Sequence, residues 1–121
     1  MSSREQQLRL RYKTLRQYTG LLSRAVAGDV ESERRFRGDY DHVVRNWCGQ
    51  IFTDSDDPGV IANLAEVAWT RFILTEECVC EATKNLQAVR SLEINSLLRA
   101  RITANSDEIL QLAAGGTESS H

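Results

Sequence analysis

A chain of 121 residues with 41% hydrophobic and 26% charged residues has the size and apolar content of about one folded domain, which excludes wholesale disorder. A net charge of −2 argues against a dedicated, strongly basic nucleic-acid binder. No run approaches the ~18 uncharged apolar residues of a membrane span, and Arg4, Glu5, Arg9, Arg11 and Lys13 interrupt any signal-peptide core, so an intracellular, soluble protein without a membrane partner is expected.

Pro58 is the single proline and no glycine falls between Gly59 and Gly115. With no Asn-Gly or Asp-Gly turn and no alternating run, the pattern predicts an all-α helical bundle. A first helix is expected from about Arg4 to Ala27. Ser2 and Ser3, with Glu5 and Gln6 three positions on, form two overlapping capping boxes. Leu8, Leu15 and Leu22, widened by Tyr12, Tyr18 and Val26, make its apolar face. Gly20 marks a close helix contact or a bend. Gly28 ends this helix and Asp29 caps the second, which runs from Val30 to about Phe52 behind Phe36, Tyr40, Val43, Val44, Trp47, Cys48 and Ile51. Gly38 is a candidate break in it. Asp56 or Asp57, with Pro58 in the first turn, then starts a third helix.

The third helix is expected to be the longest. Val60, Ile61, Leu64, Val67, Ala68, Cys78, Val79, Ala82, Leu86 and Val89 fall on one stripe, interrupted by Arg71 and Thr75, over roughly 45 Å. Near residues 90–94 the stripe shifts to Ile94, Leu97, Leu98 and Ile102, which marks a bend or a fourth helix ending near Ala104. Ser106 caps a last short segment stopped by Gly115 and Gly116. The expected architecture is thus three long helices plus one or two short C-terminal ones, a single domain over residues 1–116 with a disordered tail at 117–121. Trp69, Ile73 and Cys80 lie nearly opposite Leu64. A helix apolar on two sides, overhanging its neighbours, predicts a protein interface at these three residues and a homodimer.

Chemistry-bearing motifs are scarce. Cys48, Cys78 and Cys80 are odd in number, which suits reduced thiols. Cys78 and Cys80 point about 200° apart on a helix, and His42 is the only internal histidine, so no metal site is expected. Arg37-Gly38-Asp39 reads as a polar helix flank. The acids before Pro58 fail as a calcium loop, because Pro58 and Ala65 occupy ligand positions. No nucleophile, phosphate loop or Glu-x-x-His pair is present. No catalytic residue and no cofactor are expected.

Charge is unevenly placed. Residues 1–50 hold ten bases and six acids, net +4, and residues 51–121 hold five and eleven, net −6. Arg9, Lys13, Arg16 and Arg24 fall within about 60° on the first helix, a basic stripe beside its leucines. Either the stripe faces Glu66, Glu77 and Glu81, in the monomer or in a dimer, or it is merely solvated. The reading is a non-enzymatic interaction module, an adaptor, assembly subunit or regulator that acts as a homo-oligomer or with another protein. The alternative is a nucleic-acid binder using those four cations on phosphates.

Overall fold

Six helices follow one another in a computed structural model that describes residues 3–52, 57–88 and 94–115, the side chains of Leu8 and Arg11 excepted. No strand occurs among the described residues. They are α1 (Ser3–Val26), α2 (Val30–Ile51), α3 (Pro58–Ala68), α4 (Glu76–Gln87), α5 (Ile94–Ala104) and α6 (Ser106–Ala113). No described helix is long and apolar enough to cross a membrane. Ser2, Asp54, Asp56, Val89, the phase shift at 90–93, Gly116 and the tail 117–121 lie outside the described residues.

The first two helices follow the sequence closely. Gly28 adopts φ 107°, a left-handed conformation natural to glycine, and closes α1. Asp29 precedes α2 in an extended conformation and accepts a hydrogen bond from Ser32 Oγ. α2 runs unbroken through Gly38. Asp57 caps α3 by accepting from the Gly59 amide at 2.8 Å, with Pro58 in the first turn. Asn105 precedes α6, one residue before the expected cap Ser106, and Gly115 beyond its end is left-handed at φ 90°.

The expected long third helix is corrected. After α3 the backbone widens into a π turn over Trp69–Ile73, sealed where the Leu74 amide donates to the Trp69 carbonyl at 3.0 Å. Leu74 leaves helical geometry and Thr75 is extended, its hydroxyl accepting from the Cys78 amide to start α4. The physical cause is a cap inside the stripe, Thr75 followed by Glu76 and Glu77 in the first turn. The longest element is therefore α1, with 24 residues, about 36 Å. No third helix overhangs it, and the overhang that predicted a dimer is absent.

The π turn also redirects Trp69 and Ile73. Both are buried within this chain, at 0% and 1% exposure, in a core fed by all six helices. Phe36 meets Trp69 edge-on at 5.8 Å and lies 5.0 Å from Tyr18 and 5.2 Å from Tyr40. Trp69 Nε1 donates to Asp41 at 2.9 Å, so its one polar atom is satisfied. The break leaves the Phe72 carbonyl without a helical partner, and Arg101 Nε and Cys78 Sγ both donate to it. Among the described residues no buried side-chain nitrogen or oxygen is unpaired.

Candidate binding groove

α1 buries Leu15, Tyr18, Leu22 and Ala25 and packs on α2 and α4. Helical spacing then carries Lys13, Arg16 and Arg24 along the flank of that face. Across from them α2 presents Arg35, Asp39 and Tyr40, and α4 presents Thr83 and Leu86. Together these residues, with Gln17, Gly20 and Leu21, line an open groove of about 770 Å³. The turn at Gly28 makes α1 and α2 a helical hairpin, so residues at like distances from the turn lie side by side. That register sets Arg35 near Leu21 and Asp39 near Gln17.

The groove is unevenly charged. Lys13, Arg16, Arg24 and Arg35 are all exposed, against the single carboxylate of Asp39. None of the four cations has an ion pair among the described residues; the pairs that form are Arg34–Glu31, Arg37–Glu66, Arg45–Asp41 and Arg101–Glu77. Arg24 is steadied by Ser32, to which its Nε donates at 3.4 Å. Arg9 is exposed on α1 but does not line the groove. Within the chain the stripe does not pair with Glu66 and Glu77, because Arg37 of α2 and Arg101 of α5 hold those carboxylates. Glu81 exerts its field on Tyr18, Cys78 and Arg101.

Tyr18, Leu21, Tyr40 and Leu86 supply the groove's apolar and aromatic surface. Tyr18 is buried and Tyr40 half-buried, and their rings meet edge-on at 5.4 Å. Burial pushes both phenols up, with the charge of Asp39 adding to the shift at Tyr40. Gly20 lies at the centre of the cationic stripe. A Cβ there would meet only the far end of Arg24, at 3.4 Å, so this glycine widens the groove wall and makes no tight helix contact.

Of the expected interface residues, Trp69 and Ile73 are core and Cys80 is exposed on α4. Cys48 and Cys78 are buried thiols, both pushed up chiefly by burial, Cys48 to about 11. No described group of three or more His, Cys, Asp and Glu is arranged to hold a metal. Arg35 was not singled out by the sequence pattern and Asp39 was read only as part of a polar helix flank; the signal that places both at the groove is the register of the hairpin about Gly28. No family model, curated protein or solved structure matches this chain.

Proposed function

We propose that this protein is a non-enzymatic helical binding module whose working surface is the groove between α1, α2 and α4, and that it takes an acidic, amphipathic protein segment. The observation that carries this reading is that Lys13, Arg16, Arg24 and Arg35 line one groove and form no ion pair among the described residues. Arg34, Arg37, Arg45 and Arg101 pair with Glu31, Glu66, Asp41 and Glu77, and Arg99 lies over the Trp47 ring at 5.0 Å, whereas these four cations gather in one groove. An acidic segment supplies carboxylates to these cations and apolar side chains to Leu21, Leu86 and the edge of Tyr40.

Nucleic acid is the second reading, favoured by the same unpaired cations. Single strands gain much of their affinity by stacking bases on free aromatic faces. Here Tyr18, Phe36, Tyr40 and Trp69 spend their rings on one another. The test is titration of a labelled amphipathic acidic peptide and of single- and double-stranded RNA and DNA at ~50 mM salt, where ionic contacts are strongest. Peptide binding lost in a Lys13→Ala, Arg16→Ala, Arg35→Ala variant of unchanged fold supports the proposal. Nucleic-acid binding lost in that variant, with no peptide binding, replaces it by the second reading.

A further inference from the structure

The surface complementary to the groove is on α6. This helix buries Ile109 and packs on α3 and α5. Its outer side presents Asp107 and Glu108, both exposed, with Leu110, 49% exposed, beside Asp107. Asp107 and Leu110 are three residues apart and therefore neighbours on the helix surface. Neither acid has an ion pair among the described residues. The groove offers the inverse set, exposed cations around Leu21 and Leu86.

We infer that the groove's occupant is α6 of a second copy of this chain, in a head-to-tail contact; this rests on reading the groove as the binding surface. Three observations converge on it. The charges are complementary, since the half of the chain bearing α6 carries net −6 and the half bearing most of the groove carries net +4. The sizes agree: the eight residues of α6 span ~12 Å and the wall from Lys13 to Arg24 spans ~16 Å. The elements are separate, because α6 packs on α3 and α5 whereas α1, α2 and α4 build the groove, which directs the two surfaces to different molecules. Leu110 enters between Leu21 and Leu86, and Asp107 beside it meets Arg16 and Lys13. Two unlike surfaces joined in this way make a heterologous contact, which closes only if the rotation between copies permits.

The test uses the full chain and measures mass by light scattering at ~50 mM and ~500 mM salt, bracketing weak and strong screening. Association that rises with concentration and falls with salt is expected. A groove variant, Lys13→Glu with Arg16→Glu, and an α6 variant, Asp107→Lys with Leu110→Ser, should each be monomeric. Mixed one to one, they should form a dimer that grows no further, because each supplies one intact surface. If the α6 variant does not fold by far-ultraviolet dichroism, Asp107→Asn with Glu108→Gln replaces it, to the same expectation. A monomeric wild type whose groove still binds an acidic peptide overturns this inference alone, and one that binds nothing overturns the reading of the groove as well. Wild-type association that survives the α6 variant also overturns it.

Discussion

Arg101 reaches from α5 into the break between α3 and α4. There its side chain is 12% exposed, donates to the Phe72 carbonyl at 2.6 Å and pairs with Glu77 at 2.9 Å. Arg16 stands on α1 at the groove, exposed and with no ion pair among the described residues. Both are helical guanidinium groups of one small protein. At the break, a charged side chain satisfies a backbone group that an interrupted helix cannot satisfy. On the groove wall the helix is unbroken, and its cations have no such task. Charge that the fold consumes is thereby separated from charge that it leaves available, and the proposed binding surface rests on the second kind.

The largest expected effect falls in the interior at the break. Trp69→Ala should cost about 3–5 kcal/mol, as large-to-small core changes do, measured by urea unfolding. Unchanged stability would place Trp69 on a surface and undo the contrast between the two regions. The paired comparison comes next. Arg101→Leu should cost about 1–3 kcal/mol by leaving a backbone carbonyl poorly satisfied, while Arg16→Leu should stay within about 0.5 kcal/mol. Equal losses at the two positions would mean that the groove cations also hold the fold.

How far these regions were legible in the sequence follows from their backbone. The α1–α2 hairpin was readable because Gly28, Asp29 and the spacing of Leu15, Tyr18 and Leu22 agree with one another. The break was not. Steps of 100° matched Leu64 to Cys78 and Ala82 whether or not the backbone between them was continuous. Thr75 with Glu76 and Glu77 was the cap, though in a straight-helix reading it counted as an interruption of the stripe. The same assumption put Trp69 and Ile73 on an outer face, whereas the π turn brings both inward. Of the groove, the α1 wall was visible in the spacing of Lys13, Arg16 and Arg24. Arg35 and Asp39 belong to another helix, and periodicity within one element carries no information about its neighbour.

Two smaller effects sharpen the comparison. Burial raises the Cys48 thiol from its ordinary 9.0 to about 11, so the folded chain keeps that proton after the unfolded chain has released it. This contribution to stability is complete below pH 9 and disappears between pH 9 and about 11. Melting temperature should fall on going from about pH 8 to about pH 10.5, and part of that fall should vanish in Cys48→Ala. A fall of the same size in Cys48→Ala would deny the thiol any role. Smallest is Gly20→Ala, which should raise stability by up to about 1 kcal/mol through helix propensity, since only the flexible end of Arg24 stands near the added carbon. Destabilisation there would mean that the groove wall is closely packed.

The separation of consumed from available charge is tested most directly by nitrogen-15 amide spectra of the full chain as an acidic amphipathic peptide is added. Shifts should concentrate at residues 13–24, 35–40 and 83–86, the three walls of the groove, while Phe72, Glu77 and Arg101 stay still. Shifts centred on the break or on α5, or none anywhere at saturating peptide, would contradict the assignment of the groove as the binding surface.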